Sequence, residues 1–324
     1  MRLEEAIKSF AHGMAKASAR ISEMNPDIVI APMMGAVPFV DAMHAADSNF
    51  DPNRVYYMPA SSHVPYIKDV MAGWMDNFLN VNAKPETPVT MVHVDEVVSG
   101  SSSIRVNAAI QDAIKKRTRN LISESIRPFW TQDHAEFEDA ADDFNRLTGH
   151  QHYDFMTHLV SNQHAGTYSN DKDALARDAN RLKQMIENHF TNHITHIGIG
   201  IQDAKNGAYE KKPRNDQYRR LVAEGAVEAI DVATILTMDK PDFCPVRYKP
   251  IKNADRDAYV RFTPVVDKTP RVTKKYLELL KRIGEITNSG SNPVPVSIER
   301  AAFSIDYLSP KYGGIFNAEM AALK

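Results

Sequence analysis

The sequence predicts an α/β protein, a mostly parallel, twisted sheet flanked by helices with a helical insertion. Three observations predict it. Short apolar or β-branched runs near residues 28, 54, 89, 196 and 231 alternate with helical periodicity. Two of those runs end in glycine-bearing turns, at Gly35 and Gly100, that lead directly into helical patterns. Residues 121–190 carry acidic and helical stretches that lie outside this alternation.

Taken in order, Leu3, Ile7, Phe10 and Met14 repeat at helical spacing, which predicts an amphipathic helix over 2–23. Asn25-Pro26-Asp27 ends it, and Ile28-Val29-Ile30 follows as a short buried strand. The stretch Ala31 to Pro38 turns into a helix over Phe39–Ala46. Arg54 to Met58 reads as the next strand. A loop with Ser61, Ser62 and His63 leads to a helix over 67–82, whose Trp74 and Phe78 at i,i+4 belong in a core.

Pro88 to Ser103, PVTMVHVDEVVSGSSS, is the centre of the chain. Val89, Met91, Val92 and Val94 form a buried strand that His93 interrupts, and a helix is expected over Ile104–Lys116. Lys115, Lys116, Arg117 and Arg119 sit near that helix's expected end, where positive charge suits the dipole. Further helical patterns cover Ala135–Leu147 and Asp173–Phe190, among eight histidines from His134 to His196. His189 and His193 have i,i+4 spacing, but without an ordering acid the preferred reading is surface or hydrogen-bonded histidine, not a metal site.

His196 to Gln202 reads as a strand whose glycines lie inside it, so it is not a dinucleotide fingerprint. A helix is expected over Tyr218–Val227 and a buried strand over Asp231–Met238. Arg261 to Val266 reads as an edge strand because of Pro264. Val272 to Ile286 reads as a helix, and the tail beyond carries no assignable chemistry.

A chain of 324 residues holds one large domain or two small ones. With 43% hydrophobic and 25% charged residues it has the composition of a soluble globular protein. A net charge of −2 argues against bulk attraction to nucleic acid or anionic membrane. The single cysteine, Cys244, excludes an intrachain disulfide and a cysteine-rich zinc site, and suits a reducing compartment. The first residues do not read as a signal peptide. The longest apolar stretch, Ile28–Val40, is broken by Pro32 and Pro38 and is too short to span a bilayer. The expectation is a cytoplasmic protein of a bacterium or of a virus that infects one.

The chemistry concentrates at the end of the central strand. A helix start offers free N–H groups and a positive dipole end, a seat for phosphate. Gly100 can adopt positive φ, and Ser99, Ser101, Ser102 and Ser103 add hydroxyl donors. Asp95 and Glu96 cannot bind that phosphate, because like charges repel. They suit sugar hydroxyls, a cation, or both.

This stretch resembles the PRPP-binding motif of type I phosphoribosyltransferases, in which four apolar residues precede two acids, two apolar residues and a hydroxyl- and glycine-rich loop. Here the second acid is Glu96, where the family usually has Asp, and the glycine stands one place early, the family's position being Ser101. The resemblance implies that Asp95 and Glu96 hold the ribose 2′- and 3′-hydroxyls. Ser99, Gly100, Ser101, Ser102 and Ser103 would hold the 5′-phosphate. Met34, Gly35, Ala36 and Val37 would hold pyrophosphate, with Lys68 or His63 reaching it. Lys240 or Lys249, with Phe243, Tyr248 or Phe262, would form the base pocket. Mg²⁺ would arrive with the substrate, Asp95 being a candidate ligand.

The function implied is transfer of ribose 5-phosphate from PRPP to a nitrogenous base with release of pyrophosphate, a step of nucleotide metabolism. The alternative is the same fold as a ligand-binding or regulatory protein without transfer, and a metal hydrolase built on the histidine-rich stretch ranks third. Residues 1–120 and 191–270 would form the phosphoribosyltransferase-like core. Residues 121–190 would be the insertion, and 271–324 a C-terminal helix and tail on the core. PRPP and a base are the expected partners, with the chain a homo-oligomer such as a homodimer, without nucleic acid or membrane.

Overall fold

A computed structural model describes residues 2–33, 35–60, 66–84, 87–131, 134–191, 193–203, 213–239, 243, 245–250, 262–266 and 269–290. The elements run α1 (Leu3–Met24), β1 (Ile28–Met33), α2 (Val37–Ala46), β2 (Val55–Pro59), α3 (Ile67–Asn82), β3 (Val89–Val97) and α4 (Ser101–Thr131). They continue with α5 (His134–Leu147), α6 (Tyr153–His164), α7 (Thr167–Asn170), α8 (Lys172–Thr191), β4 (Ile194–Asp203), α9 (Pro213–Ala223) and β5 (Val227–Val232). The last are α10 (Leu236–Asp239), β6 (Val246–Pro250), β7 (Phe262–Val266) and α11 (Pro270–Thr287). The chain divides into two compact units, one of residues 1–78, 90–111 and 196–324, the other of 79–89 and 112–195. No described helix is long and apolar enough to cross a membrane.

The first unit is built on a five-stranded, all-parallel sheet in the order β2-β1-β3-β4-β5. Ile28 of β1 pairs with Met91 of β3, and Val29 with Val55 of β2, so the chain departs from β1 to either side. The carboxyl ends of β1 and β3 are therefore neighbours at the place where the strand order reverses, which is where ligands bind in open α/β sheets.

Side chains alternate between the sheet's faces. One face contributes Val29, Ala31, Val92, Val94, Ile199 and Ile201 to the main core, under α1, α2 and α11. Within that layer the Tyr276 hydroxyl donates to the buried Asp41 carboxylate at 2.8 Å, tying α11 to α2. The opposite face carries His93, Asp95 and Val97 of β3, beneath the start of α4. Trp74 and Phe78 are fully buried and stack at 4.8 Å, as core residues rather than an exposed platform.

β6 and β7 form a separate antiparallel ribbon with Pro264 opposite Tyr248. Each strand of a two-stranded ribbon is an edge, so proline is tolerated there.

The second unit is helical, its core formed by Phe137, Phe144, Phe155, Leu159, Leu182, Ile186 and Phe190 of α5, α6 and α8. Three of its histidines have partners within the unit. His164 pairs with Glu138 at 2.7 Å, His158 lies 3.4 Å from Asp178, and His193 bonds the Lys84 carbonyl at 3.3 Å.

Two elements differ from expectation. α4 does not stop at Lys116 but runs for 31 residues, so the basic cluster lies within the helix and not at its negative end. Arg117 instead donates to the carbonyls of Leu79 and Ala83, where α3 runs out of intrahelical donors. β5 lies at Val227–Val232, earlier than the expected Asp231–Met238. Gly225, at φ +73°, ends α9 early, and the following V-E-A-I-D-V then pairs with β4 from Gly198 to Asp203. Leu236 and Thr237 are buried in the short helix α10.

Candidate functional site

The site is assembled where β1 and β3 end. Alternation along β3 sends Asp95 toward α4 and Glu96 to the opposite face. Asp95 is 2% exposed and accepts a 2.8 Å hydrogen bond from Ser103 Oγ in the first turn of α4. The Glu96 carboxylate lies against Gly35, just beyond β1, and a β-carbon at Gly35 would overlap it. Glycine at 35 thus lets this carboxylate approach the backbone closely. Ala36 and Val37, next in the turn, are fully buried as α2 begins. Met34 lies outside the described residues.

Gly100 is required where it stands for two reasons. Its φ is +69°, and a β-carbon there would come within 2.7 Å of Tyr218 Cβ and 2.8 Å of Cγ. Tyr218, from α9, packs with Val97 and Val227 in a small cluster that supports the turn from below. Ser99 Oγ donates to Ser101 Oγ at 3.1 Å, and α4 begins at Ser101. The Ser101 amide donates to Ser99 Oγ at 3.5 Å, while those of Ser102 and Ser103, with no intrahelical acceptor, are donors in a positive dipole field.

Asp95 is buried and Glu96 is half-buried. Burial raises the Asp95 carboxyl to about 6, partly offset by hydrogen bonds from Ser103 and Ser102 and by the charge of Arg105. Burial, with Asp95 beside it, raises Glu96 to about 8. Glu96 Oε2 is closed off from solvent and has no hydrogen-bond partner among the described residues. A buried carboxyl oxygen without a donor is costly, and a ligand bringing a hydroxyl or a cation relieves that cost. Among the described residues, no group of three or more His, Cys, Asp or Glu side chains is placed to hold a metal ion alone.

The remaining expected residues are dispersed. Lys68 is exposed in the first turn of α3, and no described hydrogen bond or ion pair links it to the acid pair. Phe243 is half-buried and packs against the main core. Lys249, Tyr248 and Phe262 belong to the β6–β7 ribbon. Ser61, Ser62, His63 and Lys240 lie outside the described residues.

Three features escaped the sequence reading. Arg105 lies close enough to Asp95 to favour its charged form, and it donates to the Ala60 carbonyl just past β2 at 3.3 Å. Its signal was an arginine in the turn of helix after the serines. Tyr218 had no local signal, because its partner Gly100 is remote in sequence. His93 reaches His196 across the sheet, and the only hint was a histidine in an apolar strand and glycines inside another. Comparison with protein-family models, curated proteins and solved structures found no match in any of the three.

Proposed function

We propose that this protein is a PRPP-dependent phosphoribosyltransferase acting on a nitrogenous base. One observation carries the reading. The partnerless Glu96 Oε2 is held over Gly35 in the β1–β3 crevice, beside an Asp95 tied to the first turn of α4. A sugar diol supplies the donor that Glu96 Oε2 lacks, and its phosphate arm reaches the amides of Ser102 and Ser103. The Gly35 turn lies on the other side of the crevice, where the leaving pyrophosphate would sit.

In the transfer, a ring nitrogen of the base attacks the anomeric carbon, the bond from that carbon to pyrophosphate breaks, and pyrophosphate leaves with the electron pair. Positive charge grows at the sugar, and Asp95, with the lower pKa of the two, is the carboxylate that favours it. The amides and hydroxyls of the turn would hold the phosphate fixed, so much of the acceleration would come from positioning. Mg²⁺ fits as an ion carried by phosphate oxygens and waters, with Asp95 and Glu96 as the nearby carboxylates, and it would neutralise the phosphates.

The test is incubation with PRPP, Mg²⁺ and a panel of bases, with pyrophosphate release as readout. Release with one base is expected, and failure of PRPP to bind overturns the reading. The exposed position of Lys68 favours a second reading, a binding or regulatory module on the same fold. PRPP binding without release on any base would select it.

A further inference from the structure

The underside of α4 carries a row of polar residues where a helix on a parallel sheet ordinarily presents apolar ones. Ser103, Asn107 and Gln111 recur every four residues and share one face. Ser103 holds Asp95, and Gln111 Nε2 faces His196 Nδ1 at 3.4 Å. His196 Nε2 in turn meets His93 Nδ1 at 2.9 Å, the rings stacked 5.0 Å apart.

Asn107 stands between these two contacts. Four helical residues rise about 6 Å and two strand residues about 6.6 Å, so Asn107 lies level with His93 when Ser103 lies level with Asp95. His93 is 0% exposed and Asn107 9%, and among the described residues His93 Nε2 and Asn107 Oδ1 have no hydrogen-bond partner. Gly198 makes room for this arrangement, because a β-carbon there would strike the His93 ring.

The proton positions follow from the donors. Gln111 Nε2 can only donate, so His196 Nδ1 accepts. The neutral His196 then donates from Nε2 to His93 Nδ1, and the His93 proton sits on Nε2. This chain works in one register only. An apolar seam would be at least as stable and would let the helix slide or rotate, whereas a buried polar seam fixes one setting and costs stability.

We propose that the seam of Gln111, His196 and His93, with Ser103 on Asp95, fixes the setting of α4 and thereby aims the Ser99–Ser103 turn at its ligand. Gln111, His196 and His93 are positioning residues and touch no substrate. The link to ligand binding rests on the phosphoribosyltransferase reading. The link to the helix does not.

The test compares His196→Leu with His196→Gln, because glutamine can accept from Gln111 and donate to His93 as the imidazole does. A triple variant, His93→Phe with Gln111→Leu and His196→Leu, removes the polar chain altogether. Amide hydrogen exchange at residues 104–107, the first hydrogen-bonded amides of α4, and PRPP affinity by calorimetry are the readouts. His196→Leu and the triple variant are expected to lose about tenfold in protection at 104–107 and in affinity, with His196→Gln within about twofold of the native protein. Equal protection and affinity in His196→Leu and His196→Gln overturns the proposal. So does a loss of protection spread evenly over the whole sheet, which would mark a merely structural role. If the triple variant does not fold, the His196 pair decides. If the native protein does not bind PRPP, the functional reading fails while the exchange measurement still decides this one.

Discussion

The two faces of the first unit's sheet are built on different principles. Toward α1, α2 and α11 the strands contribute apolar and aromatic side chains to the core, among them Val29, Tyr57, Val94, Ile199 and Ile230. Toward α4 the same strands bury His93 and Asp95 opposite Ser103, Asn107 and Gln111. The apolar face supplies free energy through burial and tolerates imprecise alignment. The α4 face also buries Ile30, Met91, Val106 and Ile110, but the polar seam within it contributes little net stability and admits one arrangement. Substitutions in the apolar core and in the polar seam should therefore report different things.

The largest effect is expected at the acid pair. Asp95→Asn with Glu96→Gln should lower PRPP turnover by about a thousandfold or more while the fold persists, measured as pyrophosphate release beside circular dichroism. Next comes the apolar face. Phe39 is fully buried and its ring lies 5.9 Å from Phe10. Phe39→Ala should cost about 3–5 kcal/mol in urea unfolding and leave PRPP affinity unchanged. An affinity that falls with it would mean the faces are coupled.

The two turn glycines sharpen the comparison. At Gly100 a methyl group meets the Tyr218 backbone-proximal atoms at positive φ, so Gly100→Ala should cost about 1–3 kcal/mol. At Gly35 it meets only the movable end of Glu96. Gly35→Ala should leave stability nearly intact but displace that carboxyl, which appears as weaker PRPP binding. Equal melting temperatures for the two variants would contradict this.

The smallest effect is a pH slope. Burial lowers His196 to about 4 from an ordinary value of 6.5. Between those values the unfolded chain takes up a proton that the folded chain refuses, so this group's contribution to stability falls as pH falls from about 6.5 toward 4. Asp95 and Glu96, raised by burial, act in the opposite sense, their burial being least costly in acid. The difference between His196→Gln and the native protein isolates the histidine. It should grow in favour of the variant by about 1 kcal/mol per pH unit over that window, read by urea titrations at several pH values.

Much of this was legible in the sequence. The periodicities gave α1, α3 and α11 to within a few residues, and the parallel sheet with them. The Asp95–Ser103 stretch and the Gly35 turn were visible because their chemistry is local. What stayed hidden depends on distant residues. β5 was displaced because D-V-A-T-I-L-T-M looks as strand-like as V-E-A-I-D-V, and pairing with β4 chooses between them. The need for glycine at 100 comes from Tyr218, and the histidine in β3 makes sense only beside His196. No local pattern specifies either contact.

The bond between Asp41 and Tyr276 spans 235 residues. During synthesis α1 and α2 emerge long before α11, whose Tyr276, Leu279, Leu280 and Ile283 complete their layer. At ordinary ribosomal speed the nascent chain waits roughly 10–50 s with that greasy surface uncovered. Until residue 287 has cleared the exit tunnel, the apolar layer of the first two helices lacks the cover that α11 gives it.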